Sequence, residues 1–284
     1  MSRRDPHVSS DVLISDPKKN PAISQNAMKR DKVDVRQLCR LLRLGELSRV
    51  YHPEDDDRAV FKAAVQQYID FRNQQSMLKH KIKAKFRGWG VQNIEGACVY
   101  NPKKREEFLK SIKQDAVRHQ LTRLYMTLDM ALQMQALALK ECLYLGSPYP
   151  EIQQFKRIPG VGDIGALVYD AYIQTPKRFT RKSQLSRYCK LGVVDRTSDG
   201  KPLGYQRLDQ AGNSELKAMS YRAYLCAMRI QRPNEVREFY EKSLRCSKSA
   251  TNARLNTQRK ILSVMHGVWR KGEEYNCDMF LGPE

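Results

Sequence analysis

The feature that most constrains this chain is a two-glycine turn, Pro159-Gly160-Val161-Gly162, placed between two apolar segments. A helical pattern begins directly after the turn, at Asp163. Two glycines one residue apart permit a tight reversal, and the first backbone N–H groups of the next helix then point outward, where a phosphate oxygen can bind. Glycines also let two helices pack closely. The spacing favours a helix-hairpin-helix whose anion contacts are Gly160, Val161 and Gly162; a purely packing role is the alternative.

The segment that follows the turn is strongly basic. Residues 176–207 contain nine Lys and Arg but only two Asp, and the whole chain carries 51 Lys and Arg against 31 Asp and Glu, a net charge of +20. Such an excess attracts phosphate polymers over a range set by salt. We therefore predict that this segment binds DNA or RNA. The candidate contacts are Lys177, Arg178, Arg181, Lys182, Arg196 and Lys201.

Other classes of protein fit the sequence poorly. No apolar run approaches the roughly 18 residues of a membrane span, and the N-terminus lacks a signal-like apolar core. The seven cysteines form no Cys-x-x-Cys pair, which argues against a zinc site or a disulfide framework and fits a reducing cytosol. We expect a cytoplasmic protein with no membrane partner.

The apolar patterning predicts a mostly α fold with a small α/β part at the front. We expect a short strand over 11–17, a helix from Asp31 that ends at Gly45, and a helix from the acidic run 54–57 to about Phe86. Further helices are expected over 149–157, 163–174, 182–190, 214–230 and 234–270, with a turn-rich stretch over 195–213.

Residues 103–145 read as one long helix with apolar residues at steps of three and four. From Val117 this is close to a heptad seam, which predicts an antiparallel hairpin partner or a dimer contact; an ordinary buried helix fits equally well. The predicted seam is Val117, Leu121, Leu124, Leu128, Leu132, Gln135, Leu139 and Leu143. The preceding helix ends in a basic run over 79–87, which is either a solvated face or a phosphate-contacting one.

Two places could carry chemistry. Asp31 and Asp34 are three residues apart, so their carboxylates would project from one helical turn and could share a Mg²⁺ ion; simple capping of the helix is the alternative. Ser198 lies between Arg196 and Lys201, cations that could stabilise a phosphate under attack by the serine hydroxyl. Ordinary turn chemistry is the alternative for Ser198.

These pieces together resemble a known family. The stretch from Ile158 to Leu216 is similar to the C-terminal domain of the insertion-sequence one-ten transposases, the group that includes the pilin-gene invertase, and residues 29–35 resemble the acidic element that ends the family's N-terminal domain. The matching C-terminal segments are Ile158-Pro159-Gly160-Val161-Gly162, Arg178-Phe179, Gln184-Leu185-Ser186-Arg187-Tyr188, Leu191-Gly192-Val193-Val194, Ser198-Asp199-Gly200-Lys201, Gly204-Tyr205 and Gly212-Asn213-Ser214-Glu215-Leu216.

The resemblance implies a ribonuclease-H-like domain in which four acids, in the order Asp, Glu, Asp, Asp, bind Mg²⁺. It also implies a serine that attacks a DNA phosphodiester, and a dimer or tetramer assembled on a structured non-coding RNA. By position, Asp31 and Asp34 match the third and fourth acids, and Ser198 matches the serine. Gln210 stands where the family usually has lysine, and Ser214 where arginine is frequent.

The family's first two acids would precede the strand at 11–17, so the resemblance predicts an N-terminally truncated member with an incomplete metal site. The implied domains are a partial ribonuclease-H-like domain (1–95), a coiled-coil-like helix (103–147), a transposase domain with the helix-hairpin-helix (148–232) and a basic helical tail (233–284). We expect a DNA transposase whose activity alone is doubtful. The alternative is a non-catalytic, nucleic-acid-binding fragment that oligomerises with the full-length transposase.

Overall fold

The computed structural model describes residues 13–15, 31–47, 50–51, 56–92, 94–198 and 201–282. They fall into two compact units that divide between Asp56 and Asp57. Within this described part the chain is mostly helical and has one two-stranded antiparallel sheet, so the predicted mostly α fold is confirmed. No helix among these residues combines the length and the apolar character that crossing a bilayer requires.

The first unit contains helix α1, Asp31–Arg43. The helix ends as predicted: Gly45 has a φ of +70°, and the Glu46 N–H donates to the Leu41 carbonyl, a termination that favours glycine. Leu41 is buried, whereas Val35 is 56% exposed. Of the strand predicted over 11–17, only 13–15 is described, and Ser15 there forms an isolated bridge.

The second unit begins with two long helices that pack antiparallel. These are α2, Asp56–Gly88, and α4, Asp115–Gly146; the short helix α3, Arg105–Lys110, lies between them in sequence. Buried side chains of the first part of α2 cluster with the last part of α4, and the reverse holds at the other ends. Gln75 on α2 donates to the side chain of Gln135 on α4. The helix α2 is therefore a partner of α4 within the chain.

The prediction of one helix over 103–145 is wrong at residues 111–114. The N–H of Ile112 donates to the Leu109 carbonyl, which tightens the end of α3, and the Ile112 side chain is 1% exposed. Because the Ile112 side chain is buried, the chain turns at this point, and α4 begins at Asp115. The inner face of α4 also differs from the predicted seam, because Tyr125, Ala131, Ala138 and Cys142 are buried while Leu132 and Leu143 are 40% and 43% exposed.

The helices of the C-terminal region are α5 (Pro150–Lys156), α6 (Asp163–Ile173), α7 (Lys182–Tyr188), α8 (Ser214–Arg229), α9 (Glu235–Cys246), α10 (Ala250–Lys271) and α11 (Asp278–Leu281). Helix α6 lies at the centre of these helices, and every residue from Ala166 to Gln174 is buried. The side chains of Asn213, Asn234 and Ser249 accept hydrogen bonds from the first turns of α8, α9 and α10, as helix N-caps do.

The stretch predicted as turn-rich over 195–213 contains most of a β-hairpin, which is a correction. Strand β1 is Val193–Ser198 and strand β2 is Lys201–Leu208, paired antiparallel with Ser198 opposite Lys201. Residues 199 and 200, an Asp-Gly pair in the sequence, lie outside the described residues. Asp-Gly between two strands is a strong hairpin signal, so the sequence did carry the information. We call this hairpin the ribbon.

The guanidinium of Arg58 on α2 joins three other segments of the second unit. It donates to Glu151 on α5 at 2.6 Å and to Asp170 on α6 at 2.7 Å. It also lies over the rings of Tyr149 and, from α10, Trp269, at 4.1 and 5.2 Å from the ring centroids. The Asp170 side chain is fully buried, and the second of its carboxylate oxygens has no hydrogen-bond partner among the described residues.

Two carboxylates share this one guanidinium in a region of low solvent access. Burial raises the pKa of Asp170 well above its usual range, although the positive charge of Arg58 acts in the opposite direction. For Arg58, burial alone would lower the pKa, but Asp170 and Glu151 outweigh it and the pKa is raised. The cluster therefore keeps its cation, and the Asp170 carboxylate binds a proton more readily than a solvent-exposed carboxylate does.

Replacing Arg58 should strongly destabilise the second unit. We expect Arg58→Ala to lower the free energy of unfolding by about 3–5 kcal/mol, because it leaves buried acids without their cation. The matched control is Arg72→Ala, which removes a 2.8 Å ion pair to Glu215 whose side chains are 26% and 22% exposed; it should cost at most about 1 kcal/mol. Urea denaturation measures both, and equal losses would contradict the role given to Arg58.

The raised pKa of Asp170 also predicts a pH dependence. Below the unfolded-state pKa of about 3.9 the proton is bound in both states; as pH rises from there, the folded protein retains a proton that the unfolded chain releases. The stability contributed by this proton is therefore present at low pH and is lost as pH rises through the folded-state pKa. Asp170→Asn cannot titrate. The unfolding free energy of the natural protein minus that of this variant should fall as pH rises, and a flat difference would refute the assignment.

Candidate functional site

The predicted two-glycine turn joins α5 to α6. Gly160 has a φ of +86°, a left-handed conformation that favours glycine. The N–H of Val161 donates to the Ile158 carbonyl at 3.0 Å, and Gly162 is the N-cap residue of α6, with its carbonyl accepting from the Ala166 N–H. The two-glycine segment is therefore a turn between two helices, and a helix begins directly after it at Asp163, as the sequence pattern predicted.

The two glycines have different surroundings. A Cβ atom on Gly160 would lie 2.1 Å from the Ala223 carbonyl oxygen and 2.8 Å from the Ala227 nitrogen, so Gly160 permits close approach to the backbone of α8. Gly162 is exposed, and a Cβ there would meet nothing within 4 Å. Val161 is 4% exposed. The packing interpretation thus describes Gly160, whereas the open backbone of the turn lies at Gly162.

Gly162, the N-cap residue of α6, has no side chain that could accept a hydrogen bond from the first N–H groups of the helix. The carboxylate of Asp163 lies 2.6 Å from the Lys156 ammonium, and Arg157 pairs with Glu274 at 3.1 Å. Lys156 thereby balances the negative charge that sits closest to this helix end. An incoming phosphate would meet backbone donors beside a largely compensated acid.

A pair of alanine substitutions separates the roles of the two glycines. Gly160→Ala should destabilise the protein by about 2–5 kcal/mol, because a side chain there is strained by the positive φ and collides with α8. Gly162→Ala should cost about 1 kcal/mol or less, since its backbone is extended and its surroundings are open. Thermal and urea unfolding measure both, and similar losses for the two variants would contradict this division.

The predicted basic contacts near the turn separate into two groups. Lys177, Arg181 and Lys182 are exposed, the last two at the start of α7. Arg178 is half-buried; its guanidinium donates to the Tyr172 carbonyl at 3.2 Å and lies 4.2 Å from the ring centroid of Tyr188. Arg178 therefore supports the fold, and the three exposed cations form the accessible part of the basic surface.

Sequence reasoning missed a cation that α10 adds to this surface. Burial, together with the positive charge of Lys182, lowers the pKa of Lys260, and α10, which carries Lys260, packs against α7, which begins at Lys182. Nearby on the same helix, the Arg259 Nε donates to the Leu191 carbonyl at 2.8 Å, next to the end of α7. The only signal in the sequence was the basic character of the tail at 233–284, which does not indicate which residue reaches α7.

Ser198 lies at the end of β1, at the tip of the ribbon. The strand register shifts between Asp195 and Thr197, so Arg196 lies at an irregularity in the backbone pairing. Backbone pairing brings Ser198 opposite Lys201. None of the ribbon side chains that the structure describes is buried. Arg196, Ser198 and Lys201 are therefore brought to one end of a solvated ribbon.

Asp31 and Asp34 lie in the first turn of α1, as predicted. Asp31 is exposed and Asp34 is half-buried; Oδ1 of Asp34 is shielded from solvent and has no hydrogen-bond partner in the described part of the chain. Mg²⁺ in proteins typically takes one or two carboxylates and completes its shell with water and phosphate. No group of three or more His, Cys, Asp and Glu side chains within the described ranges could hold a metal ion.

Comparison with models of known protein families finds a match in the C-terminal part of the chain. Residues 152–241 match the sequence model of the family described as Transposase IS116/IS110/IS902 family. The matched range contains the two-glycine turn, the exposed cations at 177–182 and the ribbon with Ser198. A search of curated proteins found nothing that matches the chain. The family match confirms the transposase resemblance of this region.

Proposed function

We propose that this chain, whose residues 152–241 match the IS110 transposase family, is a transposase that binds DNA through the turn and the surrounding cations and cuts it with Ser198. The observation that carries the proposal is the extent of the match. The match covers most of α5, the two-glycine turn, α6, the exposed cations at 177–182 and the ribbon in one continuous range.

The binding surface in this proposal has a backbone part and a side-chain part. The uncapped start of α6, next to the exposed Gly162, offers N–H groups to a phosphate oxygen, as a helix-hairpin-helix does. Lys177, Arg181 and Lys182 add positive charge, and Lys260 lies close to Lys182. Contacts of this kind read the phosphate backbone and not the base sequence, so affinity should fall steeply with salt.

The serine chemistry in this proposal is a transesterification. The Oγ of Ser198 attacks the phosphorus of a DNA phosphodiester and forms a serine–phosphate ester. The bond from phosphorus to one deoxyribose oxygen breaks; the serine proton passes to water, and the leaving oxygen takes up a proton and departs as a hydroxyl. Cations on both sides of the serine in sequence, Arg196 and Lys201, would stabilise the added negative charge on the phosphate.

The metal in this proposal is Mg²⁺, with Asp31 and Asp34 as two of its ligands. When bound, the ion would neutralise negative charge on a phosphate group. The shielded, unpaired Oδ1 of Asp34 supports this assignment, since a buried carboxylate oxygen without a donor is costly unless a partner binds it. In the family that the chain resembles, such a site contains two further acids, which have no match among the residues of this sequence.

A stripe of exposed apolar side chains on α4 supports self-association. Met126, Met130, Leu137 and Tyr144 are 66%, 64%, 55% and 77% exposed, and their spacing of four, seven and seven residues places them on one side of the helix. This side faces away from the buried residues that pack against α2. We propose that the stripe joins two copies of the chain, and that the assembly also holds the structured RNA implied by the resemblance.

The same stripe favours the second candidate function, a non-catalytic chain that binds nucleic acid and joins other copies of the transposase. Under that function the basic surface and the apolar stripe are sufficient, and Ser198 is dispensable. The serine therefore decides between the two functions.

Ser198→Ala tests the catalytic proposal. We expect transposition of a marked DNA element to fall to background and the covalent protein–DNA adduct to disappear, because the attacking oxygen is gone. The affinity of this variant for duplex DNA should stay within about twofold of that of the natural protein. The serine oxygen stabilises the transition state of cleavage, and its removal leaves the contacts that bind uncleaved DNA in place. The free energy of unfolding should change by less than about 0.5 kcal/mol, because the substitution removes a single hydroxyl at the end of a strand.

The matched control is Thr197→Ala, which removes the neighbouring hydroxyl and should leave transposition intact. If the Ser198→Ala variant still supports transposition, the nucleophile assignment is wrong and the non-catalytic function is favoured. Loss of activity in both variants would point to damage to the ribbon and would equally contradict the specific role of Ser198.

A further inference from the structure

An open groove of about 470 Å³ lies where the end of α2 meets α4. It is outside the range matched by the transposase family, and its wall combines one large aromatic ring with two lysines. The lining residues are Lys81, Ala84, Lys85, Gly88, Trp89 and Leu124. Small-ligand sites typically have volumes of about 300–1,000 Å³, so the groove is large enough for one nucleotide.

We propose that this groove binds an unpaired nucleotide of a single-stranded nucleic acid, with the base stacked on Trp89 and the phosphate held by Lys81 and Lys85. The proposal rests on the nucleic-acid-binding function proposed above and adds a second site with a different preference. The hairpin surface contacts the phosphates of a duplex, whereas this groove would select bases that are free to stack.

Trp89 is held by its backbone on both sides while its ring stays accessible. The N–H groups of Trp89 and Val91 donate to the Phe86 carbonyl, both at 3.1 Å, and the Gly90 N–H donates to the Arg87 carbonyl at 3.0 Å. Phe86 itself is fully buried, but Trp89 is 47% exposed. Because the backbone around Trp89 is already held, it loses little freedom when the half-exposed indole stacks on a base, and this favours binding.

The two lysines of the groove are arranged to hold a phosphate. Lys81 and Lys85 are four residues apart and therefore neighbours on one side of α2, and neither has an ion-pair partner among the residues that the structure describes. The ammonium groups of Lys79 and Lys83 lie 5.8 and 5.4 Å from the ring centroid of Tyr100. They add to the positive charge of the same helix end.

The sequence that forms the α2 side of the groove contains no acidic residues. From residue 71 to residue 94 the chain contains no Asp or Glu but six Lys and Arg. Five of these cations fall between Lys79 and Arg87, which more than offsets the partial negative charge at the end of a helix. The occupant that matches a cationic groove with an exposed aromatic ring is an anion with a flat apolar face, and an unpaired nucleotide has both.

Duplex DNA fits the groove poorly because its bases are already stacked on one another. A base in a single strand or a loop can rotate onto an aromatic side chain, and stacking of this kind tolerates any base. Both RNA and single-stranded DNA supply such nucleotides. The experiment therefore uses both sources.

The test measures binding of the full chain to an oligouridine, an oligothymidine and a duplex DNA, with single strands of roughly 12 nucleotides, within the usual site size. We expect both single strands to quench the fluorescence of Trp89. Trp89→Ala should weaken single-strand binding by about 5- to 100-fold, and Trp89→Phe, which keeps a ring, by far less. Duplex affinity should stay within about twofold in both variants.

The lysines are tested by salt dependence. Replacing both Lys81 and Lys85 by glutamine removes the contact with one phosphate and should therefore reduce the slope of log affinity against log salt concentration by about 0.7 for single strands. The matched control replaces Lys242 and Lys248, two exposed lysines in the sequence around the end of α9, and should leave the quenching of Trp89 unchanged. A larger effect with the uridine strand would identify RNA as the source, and a larger effect with the thymidine strand would identify single-stranded DNA.

Several outcomes would overturn the inference. If Trp89→Ala binds single strands as tightly as the natural protein while duplex binding persists, the groove proposal is wrong and the proposed function stands. Equal weakening of single-strand and duplex binding would show a general structural effect and would also refute it. If the natural protein binds no nucleic acid of either kind, both the groove and the proposed function fail.

Discussion

The guanidinium of Arg58 is the contact on which the rest of the second unit depends. It holds α2 against α5, α6 and α10 through two carboxylates and two aromatic rings. Trp89 follows the other end of α2, 31 residues later in the sequence and about 45 Å away along the helix. One rigid element thus connects the core of the matched domain to the groove at Trp89.

The two glycines of the turn have different structural roles. Gly160 lets the chain contact the backbone of α8, and this contact fixes the direction in which α6 begins. Gly162 then leaves the start of α6 open to solvent. The cations around it come from α7 and α10, so the surface is assembled from distant parts of the chain.

The local features of this fold could be predicted from sequence, and the non-local ones could not. The end of α1 at Gly45 and the turn at Gly160 follow from residues that are adjacent in the chain. The break near Ile112 was missed because it depends on burying one side chain against other elements, and the ribbon was missed although its Asp-Gly pair is a hairpin signal. The approach of Lys260 to Lys182 has no local signature at all.

The ribbon has a consequence for how this protein can change over evolutionary time. The ribbon side chains that the structure describes, at 193–195, 204 and 206–208, are all at least partly solvated, so substitutions at these positions remove little apolar contact from the interior. Random changes there would leave the population of folded molecules almost unchanged. Selection can therefore act on the described surface of the ribbon and on the stability of the helices as two separate traits, and homologues can diverge in the ribbon while the helical scaffold stays the same.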